Sequence, residues 1–112
     1  GDGSQTRSFQ YVDDLIEGVH RLYFSAYSNP VNIGTTFEMT IREFAELVNE
    51  IAGNQAGIIF KEQSRIKGDP QTRRPDNSLA KQILDWQPTV SVQDGIAKTV
   101  AYFRKVLNKQ EG

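Results

Sequence analysis

The stretch TIREFAELVNEIAG, residues 40–53, constrains the fold more than any other part of the sequence. A hydroxyl at Thr40 and a carboxylate at Glu43 have the spacing of a reciprocal capping box, in which each side chain takes the other residue's backbone N–H. Ile41, Phe44, Ala45, Val48, Ile51 and Ala52 recur at helical spacing and predict a buried stripe, and Gly53 is a natural stop. A helix marked at both ends must lay that stripe against something. The remaining residues have to supply the surface.

Three more helices are predicted around it. In DDLIEGVHRLYFSA, Asp13 is the expected N-cap, with Asp14 and Glu17 near the positive end of the dipole. Leu15, Ile16, Val19, Leu22 and Tyr23 form one apolar face, and Gly18 either weakens the helix by about 1 kcal/mol or admits a close neighbour. Ser78 is expected to cap LAKQILDW, with Leu79, Ala80, Ile83 and Leu84 facing inward. Ser91 caps the last helix, where Val92, Ile96, Val100, Phe103 and Leu107 share a face, and the final NKQEG is expected to fray. RSFQYV, PVNIG and GIIFKE have strand-like composition. The expected class is α+β, a single domain over residues 1–112 with four helices and a few short strands. No regular β-α-β succession appears, which argues against a parallel nucleotide-binding sheet.

Composition removes several chemistries. The chain has no cysteine and only His20 for imidazole, so thiolate catalysis, disulfides and Cys/His zinc sites are excluded. A net charge of -1 gives no field to recruit nucleic acid or an anionic membrane, and no apolar run reaches a membrane span. A cytoplasmic location is expected.

Two segments carry candidate chemistry. The chain opens with GDGSQTR, which begins like G-x-G-x-x-G but has Thr6 in the sixth position and an extended segment instead of a helix after it. A tight turn at the glycines fits better. That turn would present Gln5, Thr6 and Arg7 together, and a guanidinium can donate paired hydrogen bonds to a diphosphate. From the residues alone, Arg7 reads first as a surface ion-pair partner.

The second segment, QSRIKGDPQTRRPDNS, is a long polar connection carrying Arg65, Lys67, Arg73 and Arg74. It is either a solvated loop whose charges pair with Asp69 and Asp76, or an anion site. His20 reads as a surface or half-buried residue, and Asp13 and Asp14 read as cap residues. Trp86 reads as a core anchor whose indole N–H needs an acceptor. No Tyr-x-x-x-Lys occurs, and YFRK at 102–105 has the wrong spacing.

The blocks GDGSQTRSFQYVDDLIEG, PVNIG, TIREFAELV, GDPQTRRPDNSLAKQILDWQPTVSVQDGI and TVAYFRK, in this order, are similar to the C-terminal, substrate-binding part of the extended short-chain dehydrogenases that modify nucleotide sugars. Within that family of NAD-dependent epimerases and dehydratases, they look closest to the members that decarboxylate UDP-glucuronate. The dTDP-glucose 4,6-dehydratases and UDP-sugar 4-epimerases share the architecture. The resemblance implies a longer parent, in which an N-terminal Rossmann part holds NAD and a catalytic Tyr-x-x-x-Lys. NAD there oxidises the sugar at C4, the 4-keto-glucuronate loses carbon dioxide, and hydride returns to give UDP-xylose.

On this resemblance the present residues bind the diphosphate end of a UDP-sugar through Gly3, Ser4, Gln5 and Arg7, with Arg73 as the second-loop arginine. No catalytic residue, cofactor or metal site is expected within residues 1–112, and the chain alone is expected to be an inactive monomer. A free-standing interaction module is the alternative. Two positions depart from the family: Asp85 stands where glycine is usual, and Asn77 replaces an apolar residue.

Overall fold

A computed structural model describes residues 1–61 and 67–111. Its elements run β1 (Thr6–Arg7), α1 (Val12–Tyr23), β2 (Met39–Thr40), α2 (Ile41–Ala52), α3 (Ser78–Leu84) and α4 (Val92–Glu111). This is a small α+β domain, as expected. The sheet has two antiparallel strands, with Thr6 opposite Thr40 and Arg7 opposite Met39, and Thr6 also makes a parallel bridge to Thr72. Only two residues of RSFQYV's neighbourhood are paired, and neither PVNIG nor the described part of GIIFKE forms a strand. β-rich composition makes a strand only where a partner backbone is available, and that partner here is the short Met39–Thr40 segment.

The capping box of α2 forms as predicted. Thr40 Oγ1 accepts from Glu43 N–H at 3.0 Å, and Glu43 Oε1 accepts from Thr40 N–H at 3.0 Å. The Thr40 backbone N–H, and after it the Thr40 hydroxyl, hold the Glu43 carboxyl below its ordinary value. Gly53 closes the helix in the left-handed region at φ 70°. Ser91 likewise caps α4, accepting from Asp94 N–H at 3.1 Å. That helix continues to Glu111, past the expected frayed end.

Two other caps differ from expectation. Helix α1 starts at Val12, so Asp13 lies inside its first turn and Tyr11 occupies the cap position without a side-chain bond. Helix α3 starts at Ser78, preceded by Asn77. Asn77 is buried because its amide donates to Gly34 O at 2.9 Å, which explains a polar residue at a place where an apolar one was expected. Asp85 ends α3 at φ 51°, the conformation glycine adopts most easily. Arg21 of α1 steadies that end by donating to the carbonyls of Leu84 and Asp85.

The core is a knot around Trp86, which is 1% exposed and packs with Ala80 and Leu84 against Leu22, Val31 and Ile33. Its indole N–H donates to Asp14 O at 2.9 Å. The Asp14 side chain is also buried and accepts three bonds: from Thr89 N–H at 3.1 Å, Thr89 Oγ1 at 2.9 Å and Val90 N–H at 3.0 Å. Asp14 therefore ties α1 to the segment before α4, a role beyond a helix cap. Gly18 admits the close neighbour its sequence position allowed: a Cβ there would lie 2.4 Å from Ile33 Cγ2.

Much apolar surface remains outside this knot. Of the predicted α1 face, Leu22 packs inward while Ile16 and Tyr23 are 58% and 79% exposed. The stripes of α2 and α4 line an open groove of about 700 Å³, with Phe44 and Val48 facing Val100, Phe103 and Leu107. Phe9 stacks on Phe44 there at 3.7 Å. The Cα radius of gyration is 16.8 Å and the extents are 49 × 41 × 20 Å. A compact chain of this length has a radius near ~13 Å. The molecule is a slab with two poorly covered faces.

Candidate functional site

The opening glycines make a turn leading into a strand. Gly3 is buried at φ 80°, and a Cβ on it would lie 3.0 Å from Arg42 Cβ and 3.1 Å from Phe60 Cε1. Its carbonyl accepts from Arg42 N–H at 3.0 Å, and Gln5 O accepts from Ile41 N–H at 2.9 Å. Glycine therefore lets the backbone run against the first turn of α2. Asp2 Oδ1 accepts from both Ser4 N–H at 2.9 Å and Ser4 Oγ at 2.6 Å, fixing the turn from outside. A dinucleotide loop needs a helix N-terminus directly after its glycines, and β1 follows here, so these residues do not fit one.

The second segment folds back onto this strand. Thr6 N–H donates to Gln71 O at 2.8 Å, and Gln71 Nε2 donates to Ser4 Oγ at 3.0 Å. Arg7 Nη2 meets Asp69 Oδ1 at 2.7 Å, while its Nη1 donates to Thr6 O at 2.6 Å. Glu38 links a further pair: its Oε1 accepts from Thr6 Oγ1 at 3.1 Å, and its Oε2 lies 3.6 Å from Arg74 Nη1. Gly3, Ser4, Gln5 and Arg7 are thus assembled with residues 69–74. Arg73 is exposed, and Arg74 beside it lies by Glu38. Arg65 lies outside the described residues.

Both acidic residues of the loop have partners among the described residues. Asp69 takes Arg7, and Asp76 accepts from Ser78 Oγ at 2.6 Å and Ser78 N–H at 3.0 Å. Those two bonds, with a smaller contribution from the Arg74 charge, hold the Asp76 carboxyl below its ordinary value.

Beside the clasp lies a groove of about 420 Å³, lined by Gly3, Gln5, Arg42, Phe60, Lys61 and Asp69 among others. Arg42 sits over the Phe60 ring at 5.6 Å. Gln5 Oε1, Ser8 Oγ and Gln10 Oε1 are buried without a partner among the described residues. Unmatched buried oxygens are unusual in a finished interior and suit a surface that receives a donor. Sequence reasoning missed Glu38. Asp69 was weighed only as a partner for the loop's own cations, although the flanking Gly68 and Pro70 mark it as a fixed corner. His20 is exposed, its ring 4.9 Å from that of Phe24, and belongs to no cluster with the clasp.

Comparison with known proteins identifies the family. Residues 1–99 match the family described as GDP-mannose 4,6 dehydratase. The chain belongs to that family. UDP-glucuronic acid decarboxylase 1 of Danio rerio is 44% identical over 110 residues, covering 98% of this chain and 26% of the relative. The Arabidopsis thaliana protein of the same name is 44% identical over 113 residues, covering 100% of this chain and 26% of that one.

Among solved structures, the Thermotoga maritima UDP-glucose 4-epimerase with UDP-glucose superposes with a TM-score of 0.87 at 34% identity, over 96% of this chain and 34% of that one. The Bacillus cereus UDP-glucuronic acid 4-epimerase, in complex with UDP-glucuronic acid and NAD, gives 0.83 at 30% identity, over 95% and 34%. The chain therefore spans about a quarter to a third of the length of these relatives. Among the described residues, no helix is long and apolar enough to cross a membrane.

Proposed function

We propose that residues 1–112 are the nucleotide-sugar-binding C-terminal part of an NAD-dependent UDP-glucuronate decarboxylase. In this role the clasp of Gly3–Arg7 and residues 69–74 grips the diphosphate of a UDP-sugar. The observation that supports the reading is the Arg7–Asp69 pair, which with the Thr6 N–H to Gln71 O bond holds the opening turn against the arginine-bearing loop. Guanidinium groups recognise phosphate oxygens by paired, charge-assisted hydrogen bonds. The 44% identity to decarboxylases favours that reaction. The structural matches to 4-epimerases favour epimerisation of the same class of substrate as the second reading.

Sugar chemistry on this reading belongs to the remainder of a longer polypeptide, a Rossmann part with NAD. The exposed α1 face and the α2–α4 groove offer that part somewhere to pack. The chain by itself is then a monomer that turns over no UDP-glucuronate, and a cytoplasmic location accords with the absence of cysteine.

The test is titration of the isotopically labelled chain with UDP. Amide shifts clustered at residues 3–7 and 67–75 are expected, with weak affinity, because an incomplete pocket neither desolvates the ligand nor preorganises its own loops. A chain whose spectrum ignores millimolar UDP is an interaction module instead.

A further inference from the structure

We propose that Asp69 is the positioning residue of Arg7: it fixes one edge of the guanidinium so that the opposite N–H groups face the diphosphate. The inference rests on the nucleoside-diphosphate reading and adds a carboxylate to a site otherwise described by its cations.

Three of the ion pairs within reach differ in what they can hold. Arg21–Glu17 and Arg42–Glu46 each join neighbouring turns of one helix, and their side chains are 39–62% exposed. Such pairs are screened and order little. Arg7–Asp69 joins two separate segments at 2.7 Å, with side chains 21% and 31% exposed. Arg7 is held twice, since Nη1 also donates to Thr6 O. A guanidinium carries five N–H groups. The two bonds here use one hydrogen on each terminal nitrogen and leave the Nε–H and the outer hydrogens for a ligand.

The place of Asp69 is itself set by backbone. Gly68 turns the chain at φ 88°, and the ring of Pro70 restricts Asp69 to an extended conformation. One residue further on, Gln71 O receives Thr6 N–H. The carboxylate is therefore delivered to a fixed spot beside β1, whatever Arg7 does. It also lines the same groove as Gln5, whose Oε1 lacks a partner.

A negative charge beside an anion site opposes binding by simple Coulomb repulsion. It helps only if ordering the arginine outweighs that repulsion, which requires ligand and carboxylate to take different edges of the guanidinium. The bonds to Thr6 O and Asp69 Oδ1 leave three of the five N–H groups of Arg7 for that purpose. Glu38 cannot act in the same way, because its contact with Arg74 is 3.6 Å and Arg74 is 57% exposed.

The experiment is UDP titration of the 112-residue chain as wild type, Asp69→Asn and Asp69→Glu, followed by nitrogen-resolved NMR. Asp69→Asn is expected to weaken UDP binding by about tenfold, as a preorganised guanidinium becomes a mobile one. Asp69→Glu should recover part of the loss. In the absence of ligand, the Arg7 Nε–H signal should be sharp in wild type and broadened in Asp69→Asn, with the Arg42 signal unchanged. The Trp86 indole signal reports that each variant is folded.

Binding by Asp69→Asn equal to or tighter than wild type overturns the proposal, since the carboxylate is then a bystander or a competitor. An Arg7 signal indifferent to the substitution, in a chain that still binds UDP, overturns positioning and leaves the ligand assignment standing. A sharp Arg7 signal in a wild-type chain that ignores UDP removes the ligand assignment, and this inference with it.

Discussion

The Trp86 knot and the arginine clasp both tie the first fourteen residues to distant chain, and they do so by different physics. The knot joins Asp14 to Trp86, 72 positions away, with both residues buried and the indole N–H and the carboxylate matched. The clasp joins Arg7 to Asp69, 62 positions away, with charged groups at partial exposure and buried oxygens left over at Gln5 and Ser8. A matched interior resists change, and an unmatched one has capacity for something more. The difference separates the part that holds the domain together from the part that receives a ligand.

Substitutions can break that separation. Trp86→Ala should have the largest effect, lowering stability by about 3–5 kcal/mol through loss of a fully buried ring. Urea unfolding measures it, and a loss under 1 kcal/mol would mean that the knot is not the core. Asp14→Ala should cost about 1–3 kcal/mol, because the Thr89 and Val90 N–H groups lose a part-buried carboxylate acceptor.

Arg7→Ala should cost about 1 kcal/mol or less in the same assay. It should nevertheless weaken UDP binding by about tenfold or more, since it removes the charged donor. Equal losses of stability and binding in all three variants would erase the distinction between the two regions.

The smallest effect concerns acid. Glu43 and Asp76 are held below their ordinary values of 4.5 and 3.8 by hydrogen bonds to their carboxylates. Their stabilisation is therefore complete above those values and is lost as pH falls through the lowered ones. Amide shifts of Glu43 and Ser78 should follow these titrations, with midpoints below the ordinary values. Midpoints above them would show that neither cap persists in solution, while the Trp86 indole signal should remain through the same range.

Sequence revealed what depends on near neighbours. The capping box at Thr40 and Glu43, the stop at Gly53 and the Ser91 cap each involve residues within a turn or two. Trp86 was also legible, because a large ring with one donor has few places to go. Asp14 was not, because its partners at Thr89 and Val90 are chosen by tertiary contact and the local spacing suggests a helix cap. PVNIG and the described part of GIIFKE form no strand for a related reason: strand composition says nothing about whether a partner strand is present. In the site, Arg7 was visible and its counter-charge was not, since Asp69 looked equally suited to the cations of its own loop. Asp85 shows the limit from another side, a residue in a glycine conformation whose tolerance comes from Arg21 holding the carbonyl beside it.

The flat outline has a mechanical consequence. A slab 20 Å through is about two helix diameters deep. Resistance of a plate to bending rises steeply with its thickness, so this shape flexes more readily than a sphere of equal mass. Its stiff points are where α1, Ile33 and the indole of Trp86 touch at Gly18 with no room for a methyl group. The tightest approach to any glycine of the domain thus falls at a spot the size of one missing side chain.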